Sequence, residues 1–187
     1  MNHRPALAIT PGYTVLVIDT NILLSSLSMI SSLIESLRWT IIVPLPVIME
    51  LEGLATNASS QLSEAAQSAM SYISSHIRTH TLSLKVQTSK GNYLNTLSIR
   101  TEQVDFSAAD GNWERNMDDL ILKAAIWQEE HWVDRSAMLK YDRRDGEDVT
   151  RAVKVVLLSL DRNRQSLVFF FFFLFDSQLT LVVFQCA

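Results

Sequence analysis

Residues 15–24, VLVIDTNILL, run four apolar residues straight into an aspartate: Val15, Leu16, Val17 and Ile18, then Asp19, Thr20 and Asn21. An apolar, β-rich run without polar alternation marks a strand covered on both faces. A carboxylate directly after it is not favoured by folding alone, since an unpaired buried carboxylate costs several kcal/mol or takes up a proton. In an open parallel sheet, however, the carboxyl ends of the strands are where ligands sit. The meaning of this stretch therefore turns on whether other strand ends carry acids too.

Outward from it, strand-like and helix-like segments alternate. TIIVPLP (40–46) reads as a second buried strand closed by Pro44 and Pro46, LSLKVQT (82–88) as a third and AVKVVLLSLD (152–161) as a fourth. Between them, SSLSMISSLIESLRW (25–39) spaces Leu27, Ile30, Leu33, Ile34 and Leu37 at helical intervals. VIMELEGLAT (47–56) and SSQLSEAAQSAMSYISSHIRTH (59–80) follow the same period, as does NMDDLILKAAIWQEEHWV (116–133). The polar, glycine-containing stretch 89–115 is longer than an ordinary connection, which makes it a candidate functional loop. Strands alternating with helices predict a parallel sheet with helices on both faces.

The bulk numbers narrow the class without deciding it. The chain has 187 residues, 48% of them apolar, and a formal net charge of −4. That length suits one domain with a full core, and the mild acidity gives no global sign of a nucleic-acid binder. The single cysteine, Cys186, excludes a disulfide scaffold and points to a reducing compartment. The first residues lack a signal-peptide pattern, so cytoplasm or nucleus is the expected location.

The last segment is of another kind. LVFFFFFLF (167–175) is a low-complexity apolar run, broken by Asp176 and Gln178 before LTLVVF (179–184). A membrane span needs ~20 apolar residues, and this one is interrupted after nine. Its composition is that of a translated pyrimidine-rich non-coding stretch. The expected division is a folded α/β domain over 13–165 and an apolar tail of doubtful origin over 166–187, with no convincing membrane segment.

Four acids fall in comparable places. Asp19 ends the first strand, Glu50 lies one helical turn past the second, Asp119 (with Asp118 before it) opens the helix NMDDLILKAA, and Asp161 ends the fourth strand. Crowded carboxylates repel and hold protons in the absence of a cation; a divalent ion reverses that balance. Magnesium prefers oxygen ligands, takes one or two protein carboxylates and keeps several waters. Asn21, Ser159 and Asn163 are neutral polar residues suited to orienting carboxylates or waters. Taken singly, each acid also fits a cap, a turn or a solvated helix face, and a negative charge near a helix N-terminus is stabilised by ~0.3–1 kcal/mol.

With those residues in view, VIDTN, VPLPVIMELEGL, NMDDLIL and LLSLDRN resemble, in order and spacing, the acidic motifs of the PIN-domain ribonucleases, over roughly Tyr13 to Asn163. The similarity is greatest to the subgroup found in nonsense-mediated mRNA decay and telomerase-associated proteins of eukaryotes. It implies a three-layer α/β/α sandwich around a central parallel sheet of about five strands, whose C-terminal edge is expected to be incomplete or aberrant in this chain. It implies that Asp19, Glu50, Asp119 and Asp161 are catalytic acids binding Mg2+ or Mn2+, with Asn21, Asp118, Ser159 and Asn163 in support. The implied activity is hydrolysis of single-stranded RNA to 5′-phosphate and 3′-hydroxyl ends, with mRNA-decay or telomere-related proteins as partners. Leu160 stands where that subgroup often has an acid. Lys85, Lys90, Tyr93 and Arg100 gather charge and an aromatic ring suited to phosphate contact and stacking. The other reading, from a different class, is a catalytically impaired PIN fold that binds RNA or protein without cutting.

Overall fold

The computed structural model describes residues 8–98, 113–140, 152–160, 168–175 and 178–185; of 113–116 and the last two segments only the backbone is described. Strand β1 (Val15–Ile18) leads into helix α1 (Thr20–Glu35), then β2 (Thr40–Pro44), α2 (Leu45–Ala55) and α3 (Ser60–His76). There follow β3 (Leu84–Gln87), the two-residue β4 (Tyr93–Leu94), α4 (Trp113–Glu130), β5 (Val155–Leu160), β6 (Val168–Phe175) and β7 (Gln178–Gln185). They form one seven-stranded mixed sheet in the order β4-β3-β2-β1-β5-β6-β7.

The central four strands, β3-β2-β1-β5, are parallel, and the flanking ones antiparallel. Chain order moves outward from β1 to β2 to β3 and then returns to β5 on the other side of β1. The reversal places a topological switch point between β1 and β5, and ligands of open α/β sheets bind outside the strand carboxyl ends at such a point.

The two-residue period of the strands divides the core in two. Leu16, Ile18, Ile41, Val43, Val156 and Leu158 face one way, into the larger cluster with Ile22, Ile34, Ile48 and Ile73 of α1, α2 and α3. Val15, Val17, Ile42 and Val155 face the other way, onto Ala125 and Ile126 of α4 and Trp132. The apolar runs of the central strands are thus explained: this part of the sheet is covered on both faces, and the three layers are the predicted ones. Each fully buried Val, Leu or Ile contributes roughly 1.5–3 kcal/mol.

Three local features differ from the sequence reading. Pro46 does not close a strand; it sits in the first turn of α2, where a missing N–H is tolerated and the fixed φ suits the helix. Helix α4 starts at Trp113, so Asp118 and Asp119 lie in its second turn and cap nothing. The C-terminal edge is unusual in kind, not bare: β6 pairs antiparallel with β5, and β7 with β6, out of the low-complexity tail. Among the described residues no helix is long and apolar enough to cross a membrane.

Candidate active site at the switch point

The site is built where β1 meets β5. The backbone N–H of Asp19 donates to the Leu158 carbonyl at 3.0 Å, extending the parallel ladder one residue past Ile18↔Leu158. Asp19 is at the same time the N-cap of α1, with extended backbone (φ −83°, ψ 160°). Its Oδ1 accepts from the Thr20 N–H at 2.6 Å. A usual cap side chain reaches the N2 or N3 amide; this one stops at the first helical residue, and its other oxygen turns back to the sheet. There the Ser159 hydroxyl donates to Oδ2. Asp19 is thus a helix cap whose second oxygen is free of the cap and tied to the sheet.

Thr20, a buried residue of the cleft wall, donates its hydroxyl to Glu50 Oε2 on α2. The chain of contacts Ser159–Asp19–Thr20–Glu50 ties together β5, β1, α1 and α2. Burial pushes the Asp19 carboxyl above its ordinary value of 3.8, opposed by the hydrogen bonds from Ser159 and the Thr20 N–H. A carboxyl whose charged form is penalised by burial is a group that a cation would stabilise.

Asp19, Thr20, Asn21, Met49, Glu50, Gly53, Leu54 and Asp118 line one cleft of about 480 Å³. Three acids from β1–α1, α2 and α4 thus share a cavity, reached from both layers of helices. The third of them is Asp118. Asp119, expected from the sequence as the metal-binding acid, does not line the cleft; both aspartates are exposed. The cause is helical phase: Met117, Ile121, Ala124, Ala125 and Gln128 are the buried stripe of α4. At about 100° per residue, Asp118 flanks that stripe while Asp119 points away from it. Asn21 lines the same cleft and Ser159 donates to Asp19. Asp161, the next residue after β5, lies outside the described residues, as do Asn163 and Arg100.

No group of three or more His, Cys, Asp or Glu side chains among the described residues is close enough to hold a metal as it stands. The donor set nevertheless suits a hard cation: oxygen ligands only, one carboxyl raised by burial, and space between them. Magnesium bound through one or two carboxylates and several waters needs no tighter cage. Thr20 was not foreseen, although a threonine directly after a strand-end acid is the signal that marks it. Lys90 and Lys123 lie on another side of α4, with Ser89 and Trp127, away from the acids. Lys85 Nζ stands 4.4 Å from the centroid of the Tyr93 ring.

A sequence model of the PIN domain matches residues 16–167. Among curated proteins, the telomerase-binding protein EST1A of Danio rerio is 30% identical over 159 residues, an alignment covering 79% of this chain and 10% of that protein. The chain thus spans about a tenth of the length of that relative. With a family match from β1 past the end of β5, a parallel α/β core and acids gathered at its switch point, the chain belongs to the PIN-domain family.

Proposed function

We propose that the chain is a divalent-metal-dependent endoribonuclease that hydrolyses single-stranded RNA. The observation that carries this reading is the convergence of Asp19, Glu50 and Asp118, from three separate elements, on one cleft at the switch point. When bound, Mg2+ or Mn2+ would supply an activated water and neutralise charge developing at the phosphodiester. Asp19, Glu50 and Asp118 would contribute carboxylate oxygens to the ion, one or two of them directly and the rest through bound water, and Asp161 is assigned to the same set by its sequence position directly after β5. Ser159 and the Thr20 N–H fix the orientation of Asp19, and the Thr20 hydroxyl fixes Glu50. Asn21 and Asn163 are assigned to positioning carboxylates or water. The similarity to a telomerase-binding protein supports a place in RNA decay or processing, in cytoplasm or nucleus, with protein partners of that kind.

The test pairs cleavage with a melt. The purified chain with unstructured RNA and Mn2+ is expected to shorten the RNA, and Asp19→Asn to stop it while remaining folded. Mg2+ or Mn2+ should raise the melting temperature of the wild-type chain. A millimolar ion at a sub-millimolar site gives on the order of 1–2 kcal/mol, and Asp19→Asn should shrink that rise. RNA that is shifted in a gel but never shortened would instead favour a binding module.

A further inference from the structure

The two flanks of α4 differ in chemistry. Asp118 faces the carboxylate cleft. On the other flank Leu120, Lys123 and Trp127, with Ser89 and Lys90 from the β3–β4 turn, line a second groove of about 400 Å³ that also includes Glu130. The turn lies directly on Trp127 because residue 91 is glycine: its φ is 87°, and a Cβ there would stand 2.0 Å from the Trp127 ring. Tyr93 meets Trp127 edge-on, with ring centroids 6.3 Å apart.

The charge continues past the groove. Tyr93 is 40% exposed, with Lys85 over its ring and its hydroxyl held by Gln128 Nε2 at 2.9 Å. Arg135 Nη2 donates to the same Gln128 at 3.5 Å, and Arg135 Nη1 is buried without a hydrogen-bond partner among the described residues. Burial, and the charge of Arg135, hold the Lys85 ammonium below its ordinary range. Lys90 and Lys123 line the groove with Trp127, and Lys85 and Arg135 stand beside Tyr93 and Gln128 next to it, in a chain whose net charge is −4.

We propose that this flank of α4 is the binding track for single-stranded RNA outside the cleft, Lys90 and Lys123 taking phosphates from the two walls of the groove and the exposed part of the Tyr93 ring meeting a base. The inference rests on the endoribonuclease reading and adds where the strand lies. Phosphates alternating with bases are the ligand that matches cations alternating with rings. The track runs on the opposite flank of the helix that carries Asp118: Lys123 is five residues further on, ~7.5 Å of rise and about 140° of rotation away.

The experiment measures binding of a fluorescent ten-nucleotide oligouridylate by anisotropy, in EDTA, to the Asp19→Asn chain and to the same chain carrying Lys90→Ala and Lys123→Ala. A charge-matched control carries Lys140→Ala and Lys154→Ala, outside the groove. Expected are a loss on the order of tenfold for the groove variant and a salt-dependence slope shallower by ~1.4, two phosphate contacts at ~0.7 each. The control should keep both parameters within twofold of the parent. Equal losses in groove and control variants, or none in either, would overturn the track while leaving wild-type RNA cleavage as support for the cleft. A parent that binds no RNA, with a wild-type chain that cuts none, would overturn the enzyme reading itself and the track with it.

Discussion

At Asp19 two demands meet on one side chain. It caps α1 and it is pulled toward Ser159, and burial raises its pKa. The sign of the stability effect follows. Between 3.8 and the raised folded value the native state holds a proton that the unfolded state has lost, so metal-free stability falls as pH rises through that window. Asp19→Asn lacks this fall. In EDTA, a pH series of melts should show the variant matching wild type at low pH and exceeding it at neutral pH; equal melting temperatures throughout would mean that burial does not penalise the charge. Ser159→Ala removes a hydrogen bond that lowers the Asp19 pKa. The acid limb of metal-dependent cleavage should then move to higher pH, because the cation must displace a more tightly held proton. Loss of such a supporting contact typically costs ~10–100-fold in metal affinity or activity. Ser159→Thr should restore most of it, and an unmoved acid limb would remove Ser159 from the site.

The elements show which parts of the fold were legible in sequence and which were not. Residues 15–18 and 41–43 were readable because strands buried on both faces lack the polar alternation of a half-exposed strand. The start of α4 was not, because Trp113 to Asn116 (WERN) has no apolar period, so two adjacent aspartates looked like the helix terminus. Choosing between them needed the phase of the buried stripe, which Met117, Ile121, Ala124 and Gln128 set. Asp118→Asn should accordingly abolish cleavage, whereas Asp119→Asn should leave it within a few-fold of wild type; the reverse pattern in a cleavage assay would restore the order expected from sequence. A second element-level consequence concerns how α4 docks. Gln128 is fully buried, and its amide donates to Gln87 Oε1 while Gln87 Nε2 donates to the Ala124 carbonyl at 3.3 Å. This buried amide pair was invisible in sequence, where two glutamines some forty residues apart carry no pattern. Gln128→Leu leaves the Gln87 oxygen without its donor, at a cost of about 1–3 kcal/mol, measurable as a lower urea midpoint with an unchanged slope.

At the scale of the whole molecule the carboxyl-edge site depends on the β5 side of the sheet being closed. Ser159, which orients Asp19, is itself paired across the ladder with Phe170, between Leu158↔Phe171 and Leu160↔Phe169. The hairpin of β6 and β7 thus lies beside the strand that completes the switch point, although its sequence reads as low complexity. An edge strand left open presents unpaired N–H and C=O groups and invites association with other chains. Removing residues 168–187 should therefore lower the melting temperature, promote self-association of the exposed β5 edge and weaken the metal-induced stabilisation together, because Asp19 would lose the firm placement of Ser159. Those three effects belong to one cause and should appear in one truncated chain, read by thermal melts with and without Mn2+ and by light scattering. A truncated chain that stays monomeric, melts with the full chain and keeps its metal response would show that the sheet ends in function at β5, and that the apolar tail contributes nothing to the site.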